Sequence, residues 1–324
     1  MNNIAVVGAG QLGSRHIQGL AGISIPINIF VVEPNDNNRK IAESRYIEMP
    51  ANKNITAFST HQSISELPNN IDIAIIATNA DVRANVTVDL IEIKKVGKII
   101  FEKVLFQKHE DYDRIESILQ KNRIDAWVNC PRRTFSFYKS IKELFEGEGV
   151  NLYLNGGNWG MGCNSMHFID LMSYLNNSPI DSFDTSRVDP SVMESKRKGF
   201  VEFTGTLQGK LTNGAHLLLE SKPESIVPPI VDLYSNKIRV VVFEHIKKAL
   251  IFKESNSWKP LEQEFDFPFQ SQLTNHVVFD IITKGTCDLA GFSESSSLHK
   301  PFINAFINHL NNNSNEKFTY CPIT

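Results

Sequence analysis

The chain has 324 residues, which at roughly 150 residues per domain suggests two. Lys and Arg number 33 against 36 Asp and Glu, and a formal charge of −3 excludes a protein that coats nucleic acid or an anionic membrane by long-range charge; a local anion site built from backbone NH groups stays open. With 41% hydrophobic and 10% aromatic residues, global disorder is excluded as well.

No apolar run reaches the ~18–20 residues that span a bilayer. The opening MNNIAVVGAG lacks the basic start and long apolar stretch of a signal peptide. Cys130, Cys163, Cys287 and Cys321 stand far apart with no C-x-x-C pair. They read as reduced thiols of a cytoplasmic protein rather than as a disulfide frame or zinc ribbon.

In chain order, residues 4–7 are a short β-branched run that ends at Gly8, followed by a helix over 11–20 with Leu12, Ile17 and Leu20 apolar. A second strand spans 27–32 and closes on Glu33-Pro34-Asn35. Asp36 reads as the N-cap of a helix through Ala42, because a carboxylate accepts from the free NH groups of a first turn. A third strand covers 54–59. Residues 71–77 are almost wholly apolar, as in a strand buried on both faces. A helix over 81–93, a strand over 98–101, a helix over 110–122 and a short strand over 125–129 complete the alternation. Strands alternating with helices predict a doubly wound parallel sheet with right-handed crossovers.

Cys130-Pro131 interrupts the pattern, which places a first domain at 1–125 and a second at 126–324. The second half predicts helices over 135–145 and 165–175 with a strand over 150–154 between them. Strands then follow over 200–207, 215–220, 230–234, 238–243 and 249–252, joined by polar or glycine-rich turns. Two helices, over 271–283 and 301–310, close the chain. The expected second domain is therefore α+β, with a large mixed, mainly antiparallel sheet.

Gly8-Ala9-Gly10-Gln11-Leu12-Gly13 is a G-x-G-x-x-G between the first strand and the first helix, the context in which the pattern binds a dinucleotide. Gly8 permits the tight turn, Gly10 lets a pyrophosphate approach the backbone, and Gly13 lets helix and strand pack closely. Glu33 ends the second strand 20 residues after Gly13, where an acidic side chain receives the adenosine ribose hydroxyls and repels a 2′-phosphate. NAD(H) is favoured; Arg39 and Lys40 downstream keep NADP(H) open. The plain alternative is a structural glycine turn.

Lys103 follows a buried strand at the sheet edge where ligands bind in open α/β folds. A lysine there can accept the proton of a substrate hydroxyl as hydride leaves the carbon; it also reads as a solvated charge. His167 opens a helix after the loop Asn155-Gly156-Gly157-Asn158-Trp159-Gly160, with Asp170 three residues on, placed to orient the imidazole. The plainer reading is a buried, satisfied histidine. No third ligand accompanies the pair, so no metal is expected.

Taken together these residues resemble the Gfo/Idh/MocA oxidoreductases over nearly the whole chain. The resemblance rests on the glycine loop with Arg15-His16, on Ala77-Thr78-Asn79, on Glu102-Lys103, and on Gly156-Gly157 followed by Ser165-Met166-His167-Phe168-Ile169-Asp170-Leu171. It implies a Rossmann domain, a mixed-sheet second domain and NAD(P)-dependent redox at a carbinol of a sugar-like substrate. It implies that Lys103 is the catalytic lysine, that His167 is the substrate-side histidine, and that Thr78, Asn79 and Glu102 lie along the cofactor. A homodimer or homotetramer is also implied.

Two departures stand out. Val104 replaces the proline usual after the lysine, and Cys163, beside Asn164, replaces an aspartate common four residues before the histidine. The loop with Trp159 and Asn164 resembles a subgroup tied to bacterial surface-sugar pathways. Arg132-Arg133 suit an acidic or nucleotide-linked sugar, or equally an exposed pair or interdomain salt bridge. The leading expectation is a sugar dehydrogenase or reductase whose substrate contacts include Arg132, Arg133, Trp159, Asn164 and Asp170. The alternative is a catalytically weakened dinucleotide-binding regulator or partner protein.

Overall fold

A computed structural model describes all 324 residues. The elements are β1 (Asn2–Val7), α1 (Gln11–Ala21), β2 (Ile27–Val32), α2 (Asp36–Ile47), β3 (Ile55–His61), β4 (Asn70–Ile76), α3 (Ala80–Ile93), β5 (Lys95–Phe101), α4 (His109–Asn122) and β6 (Asp125–Val128). They continue as α5 (Ser136–Phe145), β7 (Asn151–Gly157), α6 (Met161–Asn176), β8 (Ile180–Val188), β9 (Met193–Glu194), β10 (Val201–Glu202), β11 (Gly205–Leu211) and β12 (His216–Lys222). The chain ends through β13 (Ile230–Tyr234), β14 (Ile238–Phe243), β15 (Lys248–Lys253), β16 (Leu261–Glu264), α7 (Gln270–Lys284), β17 (Ala290–Gly291) and α8 (Phe292–Asn313).

The chain divides into two units: Met1–Phe106 with Glu110–Asn129 and Pro268–Ser293, and Gln107–His109 with Cys130–Phe267 and Glu294–Thr324. This differs from a single cut at 125/126, because a late segment returns to the first unit. There β17 pairs antiparallel with β6, and α7 lies so close to α1 that a Cβ on Gly19 would come within 2.9 Å of Thr274 Cβ.

The first unit carries a seven-stranded sheet in the order β17-β6-β5-β4-β1-β2-β3, parallel except for β17. Its core is aliphatic, with Ile4, Val6, Ile29, Val31, Ile73 and Ile75 almost wholly buried against Ile17 and Leu20 of α1 and Val278 and Ile281 of α7. Register decides the function of this sheet. Val7 pairs with Val32 and with Ile76, and Ile76 pairs with Phe101. The residues that follow these strand ends, Gly8, Glu33, Ala77 and Glu102, therefore share one edge. The chain winds outward in both directions from β1 and β4, so this edge holds the topological switch point of the sheet.

The second unit carries an eight-stranded sheet in the order β16-β15-β14-β13-β7-β12-β11-β8. Only β7 and β12 pair in parallel.

Several boundaries differ from those expected. Asn35, not Asp36, caps α2: its Oδ1 accepts from Asn38 N at 3.0 Å. Asp36 enters the first turn, where it pairs with Arg39 and Lys40, each at 2.8 Å. Helix α8 starts at Phe292, and Pro301 lies inside it. The helix was expected only from 301, yet Leu298, Phe302 and Phe306, four residues apart, are each 0% exposed, and that continuous apolar stripe carries the helix across the proline. The strand expected over 200–207 breaks at Phe203-Thr204, and β8 and β16 were not foreseen. No helix is long and apolar enough to cross a membrane.

Candidate dinucleotide and substrate sites

The groove over the first sheet begins at the glycine turn. Gly8 has φ +91°, donates its NH to Val32 O at 2.8 Å, and has no room for a Cβ, which would lie 2.8 Å from Thr78 N. A Cβ on Gly13 would lie 1.9 Å from Gly8 O, so α1 packs directly on the turn. At Gly10 a Cβ would meet no protein atom within 4 Å. The start of α1 has no capping side chain and no acidic residue in its first turn, leaving its NH donors and positive dipole end directed at the groove. Gln11 is exposed there and Leu12 half-buried.

The groove, about 700 Å³, is lined by Gly8, Gly10, Glu33, Asn38, Thr78 and Asn79 among others. Glu33 is buried beneath it, Oε2 accepting from Ala9 N at 2.8 Å and Oε1 from Asn35 N at 3.0 Å. Each carboxylate oxygen keeps a second lone pair for a hydroxyl donor. Arg39 is turned away from any phosphate: Nη1 donates to Glu33 O at 2.7 Å and Pro34 O at 3.2 Å, and Nη2 to Asp36. On the other wall Thr78 Oγ1 is buried without a protein partner, and the Asn79 side chain makes no cap bond to α3. A dinucleotide fits these residues: uncapped NH donors for phosphates, a carboxylate for ribose hydroxyls, and polar groups the fold itself does not use.

Glu102 was expected along the cofactor. The structure turns it inward instead, 3% exposed, with Oε1 accepting from His16 Nε2 at 2.8 Å and Asn129 Nδ2 at 2.6 Å. A carboxylate this buried must be paired. Burial alone would raise its pKa, but the hydrogen bond and charge of His16, the Asn129 bond and the Lys103 charge hold the carboxyl below its usual range. The ionised carboxylate orients the rest. Asn129 must present its amide nitrogen to Glu102, and the same nitrogen donates to Gln270 Oε1 at 2.9 Å. Gln270 Nε2 therefore faces His16 Nδ1 at 3.4 Å, and Thr274 Oγ1 lies 2.9 Å from that nitrogen. Lys103 follows the anchored Glu102, is 8% exposed, and lies in the first unit; the Lys103–Val104 peptide is cis.

In the second unit, Gly156 and Gly157 end β7 where side chains cannot fit, since a Cβ would lie 2.6 Å from Pro229 Cα and 2.2 Å from Ser225 O, respectively. Trp159 donates its indole NH to Glu220 O at 2.8 Å, and Asn164 Nδ2 donates to Trp159 O at 2.7 Å, so both side chains brace the loop before α6. His167 is half-buried in the second turn of α6. Glu202 of β10 caps that helix, accepting from Gly162 N at 2.6 Å and Cys163 N at 3.2 Å. A protein carboxylate thus takes the anion position at the start of α6. The sequence carried a faint signal for it, because α6 has no acidic residue in its first turn and its opening NH groups needed acceptors from elsewhere.

The arginine pair and Asp170 require correction. Arg132 donates from Nε and Nη2 to Glu244 at 2.9 and 2.8 Å and stacks on Phe168, with Tyr138 adding a 2.6 Å bond to the same carboxylate. Arg133 donates to Asp170 Oδ2 at 2.8 Å and pairs with Glu294 at 2.9 Å. Both pairings lie within the second unit, so they are neither an interdomain bridge nor free anion clamps. Asp170 is 0% exposed and directed at Arg133, not at His167. A carboxyl buried on the mostly apolar inner face of α6 needs a partner there, and that outweighs the i, i+3 spacing that suggested otherwise.

Asp170 makes the stability of the fold depend on pH. Burial raises its carboxyl to about 7 against the pull of Arg133, and Oδ1 is buried without a donor. The folded state thus binds a proton that the unfolded chain releases near 3.8. Stability from this group is full below that lower value and is lost as pH rises toward 7. Relative to Asp170→Asn, the wild-type protein is expected to lose about 2–4 kcal/mol between pH 4.5 and 7.5, at ~1.4 kcal/mol for each tenfold difference in proton affinity between the folded and unfolded chain. Urea midpoints across that range check it; parallel curves for the two proteins would contradict the assignment.

The four cysteines form no disulfide, and burial raises the thiol pKa of Cys287 to about 11 and raises that of Cys321 further. No cluster of three or more His, Cys, Asp or Glu residues is placed to hold a metal.

The glycine turn, the switch-point groove and the second mixed sheet define a dinucleotide-binding protein with a Rossmann domain and an α+β domain. Residues 2–130, the first domain, match the Gfo/Idh/MocA family, described as an oxidoreductase family with an NAD-binding Rossmann fold. No curated protein matches the chain in sequence. Its fold is similar to UDP-N-acetylglucosamine 3-dehydrogenase from Acidithiobacillus ferrooxidans (TM-score 0.74, 13% identity, covering 97% of this chain and 99% of that one). It is also similar to biliverdin reductase from Synechocystis in complex with biliverdin and NADP+ (TM-score 0.70, 10% identity, 97% and 99%). A third similar structure is a super-repressor mutant of Gal80p from Saccharomyces cerevisiae (TM-score 0.70, 12% identity, 97% and 96%). At these identities the likeness speaks for the fold alone.

Proposed function

We propose that this protein is an NAD(H)-dependent dehydrogenase or reductase acting on a carbinol or ketone of a sugar or nucleotide-linked sugar. The observation that carries the cofactor choice is the β2 end, where Glu33 faces the groove and Arg39 is held on backbone carbonyls and Asp36. A 2′-phosphate there would meet a carboxylate and no available guanidinium. Gly8, Gly10, Glu33, Thr78 and Asn79 would hold the dinucleotide, which supplies or accepts hydride. Lys103 takes or returns the hydroxyl proton, and His167 binds and polarises that hydroxyl. The sugar class is supported by the motif resemblance. An acidic sugar is no longer favoured by Arg132 and Arg133, since both are paired with carboxylates.

Titration with NADH and NADPH, read by protein fluorescence, tests this reading. NADH is expected to bind at least tenfold tighter. Glu33→Gln removes the charge and keeps one acceptor, for Ala9 N or for Asn35 N, and should shrink the preference several-fold through improved NADPH binding. A wild-type preference for NADPH would overturn the role of Glu33. A sugar panel followed at the nicotinamide absorbance then tests the substrate class.

A further inference from the structure

We propose that Arg83 is a positioning residue that couples the cofactor loop to Lys103. Arg83 lies one turn into α3 and is 2% exposed, among the largest fully buried side chains of the protein. Its Nη2 donates to Thr78 O, and its Nη1 donates to Val104 O and, at 3.0 Å, to Leu105 O. Val104 and Leu105 are themselves 0% exposed, so water does not reach this part of the chain. One planar guanidinium therefore serves three carbonyls from two loops.

The position of Arg83 is a costly one. A cation near the N-terminus of a helix opposes the macrodipole, and burying it adds a desolvation cost. Both are offset by acceptors, which include the backbone of the two segments that flank the groove and the lysine. Lys103 is bracketed. The residue before it is anchored through Glu102 to His16 and Asn129. The two residues after it are anchored to Arg83. Only the Arg83 side is shared with Thr78, whose buried hydroxyl lines the groove without a protein partner. A ligand bond at Thr78 acts on the same residue whose carbonyl Arg83 holds, and so on the placement of Lys103. A lysine at position 83 would offer a point charge in place of the fork, and could not span three carbonyls in one plane.

The inference rests on the proposed role of Lys103, and its test needs no substrate. Lys103 acetylation by limiting acetic anhydride is measured by peptide mass spectrometry against exposed Lys121, with and without saturating NADH. In the wild type, NADH is expected to change Lys103 labelling about tenfold, a typical coupling. In Arg83→Lys, labelling of the free protein should rise several-fold, and the response to NADH should disappear while NADH affinity changes much less. Thr78→Val, which removes only the hydroxyl, should likewise abolish the response, and it keeps the test decisive if Arg83→Lys does not fold. Wild-type labelling and response in a folded Arg83→Lys, or in Thr78→Val, would overturn the coupling. Failure of the wild type to bind NADH would instead overturn the cofactor reading, and labelling of the free Arg83→Lys protein would still judge the positioning role.

Discussion

Gly13→Ala is expected to abolish NADH binding, weakening it at least 100-fold, or ~2.7 kcal/mol, and to lower thermal stability. The added Cβ would stand 1.9 Å from Gly8 O and 2.8 Å from Gly8 C, and neither atom belongs to a side chain that can turn aside. Gly8 is pinned by its bond to Val32 O and by the Thr78 backbone behind it. Helix α1 must move off the sheet and take its NH donors with it, a small-to-large change in a tight contact that costs about 1–3 kcal/mol or more. Gly10→Ala is the informative companion. Its Cβ meets no protein atom, so the protein should fold and melt like the wild type while still losing the dinucleotide, whose phosphates need that space. Calorimetric titration with NADH beside thermal melts separates the two. A Gly13→Ala protein that binds normally would remove the turn from the cofactor site.

Lys103→Met should leave NADH affinity within a factor of a few and lower kcat by about 10²–10⁴, the usual contribution of a positioned acid or base. Methionine fills the space of a side chain that is 8% exposed and removes the ammonium group with its charge and proton. The adjacent carboxylate should tolerate the loss, because the Lys103 charge contributes less to holding Glu102 ionised than do its bonds to His16 and Asn129. Turnover of whichever sugar the panel identifies, measured with binding on the same preparation, decides the matter. Undiminished kcat would exclude Lys103 from proton transfer. A Lys103→Met protein that restores the cell's phenotype in full would favour the regulatory reading of the chain.

The order of the elements was legible because each strand and helix carries its own pattern: 71–77 is apolar throughout, and the glycine loop sits between a β-branched run and an amphipathic helix. The groove residues Gly8, Gly10, Glu33, Thr78 and Asn79 were legible for a related reason. Each lies within two residues of a strand end or a helix start, and parallel register brings such positions to one edge. Arg83 left a signal that went unread. Ala80, Ala84 and Thr87 mark the buried side of α3, and a charged residue on that side demands partners.

The amino-acid sequence by itself determined the two kinds of sheet, the family of the first domain and the location of a dinucleotide groove, because strand patterning and a glycine turn are local properties. Tertiary structure alone decided the partners of the polar side chains. Spacing along α6 put Asp170 on the face of His167, but the core put it against Arg133. The family resemblance placed Glu102 along the cofactor, but packing of α1, β6 and α7 gave it His16 and Asn129. The arginine pair found Glu244, 112 positions from Arg132, and Glu294, far beyond Arg133. A buried charge takes the nearest counter-charge in space, and that distance depends on how the whole chain packs.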